Sequence, residues 1–128
     1  MIYVETSVAL AHVFLEPVSP PAEFWSEDLV SSRLLVYEIY TRMHARQLAS
    51  SRGDIARVLV DQIILIDLSA AVLQRALKPF PVPIRTLDAL HLATMDHLRR
   101  RGEMVELASY DKRILAGARA LRIPIYEA

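Results

Sequence analysis

The chain contains no cysteine among its 128 residues, and this absence excludes a large class of chemistry. Without thiols there are no disulfides, no thiolate nucleophile and no zinc or iron–sulfur site held by cysteine. Long apolar runs are also missing, because no stretch approaches the roughly 18 consecutive apolar residues of a membrane-spanning helix. The remaining chemistry depends on carboxylate, imidazole and hydroxyl groups.

An excess of charge of either sign is also absent, since 15 basic residues balance 15 acidic ones. Such a chain is not expected to bind nucleic acid by bulk electrostatics, so any phosphate contact must be local. Lysine occurs only at positions 78 and 112, and arginine supplies the rest of the basic residues. Guanidinium groups suit bidentate phosphate contacts, although a GC-rich genome would produce the same bias.

The length of 128 residues and the apolar content of 53% predict one globular domain spanning residues 1–128. The first five residues carry no basic segment ahead of an apolar one, which is unlike a secretory signal. A cytoplasmic location is therefore expected.

Short β-favouring runs alternate with helical patterns along the chain. Strands are predicted at 2–4, 29–32, 63–66, 105–109 and 124–126. Helices are predicted at about 8–16, 22–27, 33–50, 54–62, 70–78, 87–101 and 112–121. The alternation predicts a three-layer α/β/α fold around a mostly parallel sheet of about five strands.

Three local details belong to this prediction. Residues 50–53, Ser-Ser-Arg-Gly, interrupt the helical pattern and are expected to separate two helices. The run 63–66 is rich in β-branched residues and is expected to be a strand buried on both faces. The alternating prolines of 79–84 predict a stiff loop that leads to Thr86, a candidate helix cap.

Four carboxylates lie where a strand gives way to a helix or in the opening turns of a helix: Glu5, Glu38, Asp88 and Asp111. The carboxyl ends of parallel strands share one edge of a sheet, and open α/β folds place their binding sites there. We therefore expect the four acids to gather in one pocket.

Each acid also has an ordinary structural interpretation. Glu5 and Asp88 lie near helix N-termini, where the macrodipole stabilises an acid. Glu38 has Arg42 four residues ahead of it, in the favourable orientation for an ion pair. Asp111 can cap the helix that follows it. Taken singly, none of these acids identifies a site.

Taken together, carboxylates at one edge would repel one another unless a dication neutralised them. Ligation by oxygen alone suits Mg²⁺ or Mn²⁺ better than zinc. Two such ions about 4 Å apart activate a water and stabilise the leaving oxygen in phosphodiester hydrolysis. The acids therefore favour a small metal-dependent enzyme.

A family resemblance is carried by the segments 2–7 (IYVETS), 31–38 (SSRLLVYE), 86–94 (TLDALHLAT) and 108–113 (ASYDKR), and it continues to 119–125 (RALRIPI). These segments resemble the PIN domain, particularly the VapC-type toxins of bacterial toxin–antitoxin pairs. The segment around Asp88 is the most specific of them.

The resemblance implies an endoribonuclease that uses Mg²⁺ or Mn²⁺, works as a homodimer and is silenced by a short VapB-like antitoxin. It implies that the metal is held by Glu5, Glu38, Asp88 and Asp111. It also implies supporting roles for the hydroxyl groups of Thr6, Ser7 and Ser109, with helix capping as the ordinary alternative for the first two.

The first acid departs from the family pattern, because the family has Asp where this chain has Glu5. The extra methylene moves the carboxylate by about 1.5 Å, whereas metal–ligand distances tolerate about 0.2 Å. We expect weakened catalysis, and we expect Glu5→Asp to increase metal-dependent cleavage.

Two other functions compete with a nuclease. One is a catalytically impaired homologue that binds RNA or antitoxin without cleavage, which Glu5 favours. The other is a phosphoacceptor receiver domain with Asp67 as the acceptor. The receiver fits poorly, because such domains need an acidic pair after the first strand, and because two helices and no strand are predicted between Ser32 and Ile63.

Histidines and arginines give weaker signals. His91 follows Asp88 by three residues, a spacing found in some helical metal sites, but each of the four histidines is expected to be structural. Candidates for phosphate contacts are Arg33, Arg85, Arg99, Arg100, Arg101 and Arg113. A solvated helix surface is the ordinary position for each of these arginines.

Overall fold

In a computed structural model that describes residues 1–127, four short strands form one parallel sheet. The strands are β1 (Ile2–Val4), β2 (Leu29–Ser32), β3 (Ile64–Ile66) and β4 (Glu106–Ala108). Their order is β3-β2-β1-β4, and every neighbouring pair is parallel. The predicted parallel sheet is confirmed, and all four strands end at the same edge. Ala128, the last residue of the predicted domain, lies outside the described residues.

The fifth predicted strand, 124–126, is reduced to one parallel bridge between Leu107 and Ile125. The Leu107 N–H donates to the Pro124 carbonyl, and the Tyr126 N–H donates to the Leu107 carbonyl, each at 2.8 Å. Pro124 has no N–H of its own, so a regular ladder cannot extend through it.

Six helices surround the sheet in the described part of the chain. They are α1 (Thr6–Val13), α2 (Leu34–Ala45), α3 (Ala49–Asp61), α4 (Ala70–Leu77), α5 (Thr86–Arg100) and α6 (Lys112–Ala120), with a 3-10 turn at Ala22–Ser26. Within residues 1–127, no helix has the length and apolar character needed to cross a bilayer.

Strand β1 divides the core into two halves, because successive side chains of a strand point to opposite faces. Ile2 and Val4 pack with buried residues of α1, α2 and α3. Tyr3 packs on the other face with buried residues of α5 and α6. The three-layer α/β/α arrangement is therefore confirmed, and β1 lies at its centre.

The predicted break at residues 50–53 is wrong. These residues lie inside α3, and the chain turns instead at 46–48, where Gln47 adopts a left-handed φ of 56°. The Leu48 N–H closes that turn by donating to the Met43 carbonyl at 2.8 Å. One glycine costs a helix only about 1 kcal/mol, and burial of Ala56 and Leu59 outweighs that cost.

The prediction that β3 is buried on both faces is also wrong. The strand forms one edge of the sheet, and Ile64 is 56% exposed. A β-branched composition identifies a strand without giving its position in the sheet. The β-branched composition therefore predicted the strand correctly but did not predict how far the strand is buried.

Two of three helix boundaries predicted from single residues follow local chemistry. The Ser69 hydroxyl caps α4 by accepting from the Val72 N–H at 3.3 Å. Gly102 follows α5 with a φ of 90°, a conformation that glycine adopts without strain. Thr86 is the first residue of α5 and makes no side-chain cap, so its predicted capping role is wrong.

Candidate active site

The carboxyl edge of the sheet opens into a cavity of about 540 Å³. Its lining includes all four predicted acids, Glu5, Glu38, Asp88 and Asp111. The first follows β1, the second lies in α2, the third in the first turn of α5, and the fourth precedes α6. Four separate segments of the chain therefore meet at one cavity.

Glu5 is 6% exposed, and two serine hydroxyls hold its carboxylate. Oε1 accepts from Ser7 Oγ at 2.5 Å and from Ser109 Oγ at 2.6 Å. Each hydroxyl is itself oriented by a backbone N–H, of Tyr110 and Asp111 respectively. The longer glutamate side chain is thereby fixed in place.

Neither hydroxyl at the start of α1 caps that helix. Glu5 is the N-cap residue, and it makes no side-chain capping bond. Ser7 donates to Glu5, and Thr6 donates across the cavity to Glu38. The capping interpretation of Thr6 and Ser7 is therefore wrong, because both hydroxyls are used by acids.

Glu38 is held in the same manner by a second pair of donors. Its Oε1 accepts from Thr6 Oγ1 at 2.8 Å and lies 2.6 Å from Nε2 of His91. An ionised carboxylate only accepts, so Nε2 carries a hydrogen, and in the neutral imidazole Nδ1 is then the acceptor for the Tyr3 hydroxyl at 2.7 Å. The predicted ion pair is not formed, since no salt bridge within residues 1–127 joins Arg42 to Glu38.

The Tyr3 phenol stays a donor because burial raises its pKa far above the ordinary range. Tyr3 and His91 are both buried, with rings in edge-to-face contact at 5.8 Å between centroids. His91 is thus a core residue, as expected of the histidines, and it also orients Glu38.

The two glutamates share one pattern. In each, both donors engage Oε1, and no hydrogen bond from the described residues reaches Oε2. Neither Oε2 is among the fully buried atoms that lack a partner. Because Glu5 and Glu38 both line the cavity, each presents one oxygen to it in a fixed orientation.

The cavity concentrates negative charge. Partial burial raises the pKa of Asp88, and the nearby charges of Asp111 and Glu38 raise it further, against the opposing effects of His91 and Arg85. Burial also raises the pKa of Glu5, although the serine hydrogen bonds oppose the shift. Such a site favours a bound cation.

Asp111 has both of the positions expected for it. Its Oδ1 caps α6 by accepting from the Arg113 N–H at 2.9 Å. It also lines the cavity and raises the pKa of Asp88 by charge repulsion. Capping and membership of the acidic cavity are therefore compatible.

No group of three His, Asp or Glu within residues 1–127 is close enough to form a ready metal cage. The donor set nevertheless fits a hard dication, because it consists of carboxylate oxygens, two of them held in fixed orientation. Mg²⁺ is usually bound through one or two carboxylates and keeps several waters. The cavity fits an ion of that kind.

Three arginines, Arg42, Arg85 and Arg113, line the cavity beside the acids. None of them takes part in the salt bridges of the described residues. Two are among the six arginines singled out from the sequence. Arg42 was missed as a phosphate candidate, because it was considered only as a partner of Glu38.

Four other residues that were considered from the sequence do not line the cavity: Arg33, Asp67, Arg99 and Arg100. Arg33 forms an exposed salt bridge with Asp67, which is 74% exposed and does not line the cavity. Arg100 pairs with Asp96 at 3.2 Å, and Arg99 donates to the Leu121 carbonyl. A position directly after a strand, such as that of Asp67, is therefore not sufficient to place an acid in the cavity.

Tyr3 is a second residue whose role the sequence analysis did not predict. Its position between Ile2 and Val4 places it on the opposite face of β1, toward α5. One sequence signal for this role was available. Tyr3 is a polar aromatic residue in a central strand, and it faces a helix that carries an acid and a histidine.

Comparison with known proteins gives two matches. The model of the PIN domain family matches residues 2–120, a range that contains all four acids. Ribonuclease VapC47 of Mycobacterium tuberculosis (strain CDC 1551 / Oshkosh) is 31% identical over 126 residues, which cover 93% of this chain and 90% of that protein.

Proposed function

The chain belongs to the PIN domain family, and we propose that it is a metal-dependent endoribonuclease toxin of the VapC type. One observation carries the proposal. Glu5 and Glu38, each held by two donors through one oxygen, line the same cavity as Asp88 and Asp111. The similarity to a protein named Ribonuclease VapC47 supports RNA as the substrate.

Glu5, Glu38, Asp88 and Asp111 would hold Mg²⁺ or Mn²⁺. When bound, the metal supplies Lewis-acid activation of water and stabilises the leaving oxygen of a phosphodiester. The two glutamates are already held in place by four side chains, those of Ser7, Ser109, Thr6 and His91. Metal binding therefore requires less reorganisation of these ligands.

The arginines address a different requirement. An acidic cavity repels RNA, and the guanidinium groups of Arg42, Arg85 and Arg113 at its lining oppose that repulsion. They form no salt bridge with the acids of the described residues, so their donors are available to phosphate oxygens.

The proposal includes reduced activity caused by Glu5. The Ser7 and Ser109 hydroxyls hold the longer side chain in one position, which supports retained metal binding. The side chain is still one methylene longer than that of an aspartate, and this added length exceeds the tolerance of metal–ligand distances.

The remaining parts of the proposal follow from the family. They are a single domain over residues 1–128, a homodimer, a VapB-like antitoxin that silences the enzyme, and a cytoplasmic location. A short reading frame just upstream in the genome would supply the antitoxin.

The test is a Mn²⁺ titration with labelled RNA and the purified chain. Cleavage that requires Mn²⁺, stops with EDTA and is lost in Asp88→Asn is the expected result. Asp67→Asn is the matched control, because Asp67 also follows a strand and does not line the cavity. RNA binding without product at any Mn²⁺ concentration would instead identify the impaired homologue that binds without cutting.

A further inference from the structure

A buried ion pair joins α4 to α5 outside the acidic cavity. Nε of Arg75 donates to Oδ2 of Asp96 at 2.7 Å, and the two side chains are 13% and 14% exposed. The exposed Arg100 donates to the same oxygen at 3.2 Å. Asp96 follows Asp88 by eight residues on α5, which places it about 12 Å further along the helix. Neither member of the buried pair lines the acidic cavity.

The guanidinium group of Arg75 also contacts the proline-rich loop before α5. Its central carbon lies 4.5 Å from the centroid of the Phe80 ring, within the range of a cation–π contact. Phe80 is partly buried against the half of the core that contains Tyr3. One side chain of α4 therefore holds both α5 and the loop.

This contact is a costly way to stabilise a fold. Nη1 of Arg75 is buried and has no hydrogen-bond partner within residues 1–127, and an unpaired buried donor is destabilising. A buried ion pair adds little net stability, and apolar side chains of similar volume often serve as well or better. What an arginine adds is direction, because its planar group is fixed by a hydrogen bond in its plane and by a ring on its face.

The loop connects this contact to the acidic cavity. Prolines at positions 79, 81 and 83 restrict its backbone. Ile84 holds the far end of the loop against α6, where an added Cβ on Gly117 would lie 2.8 Å from the Ile84 Cδ1 atom. Arg85 comes next in the chain, lines the cavity and takes part in no salt bridge of the described residues. Its backbone position therefore depends on a stiff segment that is fixed at Phe80 and at Ile84.

We propose that Arg75 is a positioning residue for Arg85: it fixes the loop through Phe80 and thereby places the Arg85 guanidinium where it binds a phosphate of RNA. This inference rests on the proposed ribonuclease function and adds a residue that governs RNA affinity without contacting RNA. The acids do not depend on the loop in the same way, because Asp88 lies within α5 and the two glutamates have their own donors. Loss of the Arg75 contact should therefore weaken RNA binding and leave metal binding unchanged.

Two variants remove the stacked contact, Arg75→Lys from the helix and Phe80→Leu from the loop. Lysine keeps the charge that pairs with Asp96 but lacks the planar group. Affinity for a fluorescent uridine heptamer is measured by anisotropy with Ca²⁺ in place of Mn²⁺, and Mn²⁺ affinity is measured by isothermal titration. Both variants are expected to bind the heptamer more weakly and Mn²⁺ with unchanged affinity.

A double-mutant cycle with Arg85→Gln shows whether the effect depends on Arg85. Alone, Arg85→Gln is expected to weaken RNA binding and to reduce its salt dependence by about one counterion. In the Arg85→Gln background, the loss of affinity caused by Arg75→Lys should be smaller by a factor of about two or more, as found for coupled residues. Arg57→Lys is the matched control, because Arg57 pairs with Asp54 on the surface and should change neither affinity.

Any of four results would overturn the inference. RNA affinity could be unchanged in Arg75→Lys and Phe80→Leu, or unchanged in Arg85→Gln. The effects of Arg75→Lys and Arg85→Gln could simply add. Mn²⁺ affinity could fall as much as RNA affinity, which a general disruption of the fold would produce. Thermal melting verifies that the variants fold, and either Arg75→Lys or Phe80→Leu is sufficient for the cycle.

The ribonuclease proposal fails in a different way. Coupling between Arg75 and Arg85 in a protein that does not cleave RNA with Mn²⁺ would refute the nuclease and leave the positioning role standing in an RNA-binding homologue. Mn²⁺-dependent cleavage together with additive effects would refute the positioning role and leave the nuclease standing.

Discussion

The hydroxyl of Tyr3 lies 2.7 Å from Nδ1 of His91, and this hydrogen bond connects the central strand to the acidic cavity. Nε2 of the same ring donates to Glu38 Oε1 at 2.6 Å. The position of the Glu38 carboxylate therefore depends on the position of β1. A residue of the core thus determines the orientation of a residue of the site.

Tyr3→Phe removes the only donor to Nδ1 of His91 among the described hydrogen bonds. An unsatisfied buried acceptor costs about 1–3 kcal/mol, so the free energy of unfolding should fall by that amount in urea denaturation. Mn²⁺ affinity should also fall, because the His91 ring that holds Glu38 together with Thr6 is no longer fixed by Tyr3. Tyr37→Phe is the control, since Tyr37 is 66% exposed. Equal stability of the two variants would contradict the role given to Tyr3.

Ser7→Ala and Ser109→Ala each leave Glu5 with one donor in place of two. Loss of a group that orients a metal ligand typically costs 10- to 100-fold in affinity. Isothermal titration with Mn²⁺ should show a decrease of about tenfold or more for each variant. Ser51→Ala, an exposed serine of α3, should bind as the unaltered chain does.

Glu5→Asp should increase Mn²⁺-dependent cleavage of RNA. The shorter side chain moves the carboxylate by about 1.5 Å, toward the position expected of the aspartate that the family resemblance implies here. Initial rates at saturating Mn²⁺ measure the effect, and RNA binding with Ca²⁺ verifies that the substrate site is unchanged. A slower variant would show that the Ser7 and Ser109 hydroxyls have adapted the cavity to glutamate.

The metal-free chain should lose stability as pH rises. The pKa values of Glu5 and Asp88 are raised in the folded state, mainly by burial. Between the ordinary carboxyl pKa and the raised values, the folded state binds more protons than the unfolded state, so the free energy of unfolding falls with pH there. Melting temperatures in EDTA, taken at increasing pH from the ordinary carboxyl pKa of about 4 up to neutral pH, measure this slope.

Mn²⁺ should reduce that pH dependence, because a cation at the acids replaces the protons. Its stabilising effect should therefore be largest at the upper end of the range. Asp88→Asn should flatten the slope measured in EDTA, and Asp67→Asn should leave it unchanged because Asp67 lies on the surface. A slope that is the same in all three proteins would contradict this account.

Two glycines within helices should respond differently to alanine. An added Cβ at Gly53 meets nothing within 4 Å, so Gly53→Ala should raise the free energy of unfolding by about 0.5–1 kcal/mol. At Gly117 it would lie 2.8 Å from side-chain atoms of Ile84 and Leu92. Overpacking there costs about 1–3 kcal/mol, so Gly117→Ala should be neutral or destabilising. Chemical denaturation of both variants measures the difference.

The order of the elements could be predicted from the sequence, because periodicity and turn residues are local signals. Ser69, Asp111 and Gly102 ended or began helices as their chemistry requires. The break between α2 and α3 could not be located, because Gly53 is a weak local signal against the burial of Ala56. The exposure of β3 follows from its position at the edge of the sheet. The order of the strands cannot be predicted from a local sequence pattern.

The gathering of the four acids could be expected from parallel topology alone. The donors that hold them could not, because they pair residues distant in sequence, as in the bond from Ser109 to Glu5 and the bond from Thr6 to Glu38. In the sequence, a hydroxyl residue next to an acid can either cap a helix or hold that acid in place. Only the three-dimensional contacts show which of these two roles it has.

The central position of β1 has a consequence for synthesis. This strand leaves the ribosome before the others, yet one of its two neighbours is β4, near the opposite end of the chain. Pairing between such distant segments closes a large loop and is slow. Asp111 comes later still, so the acidic cavity cannot form until the chain has been translated at least as far as this residue.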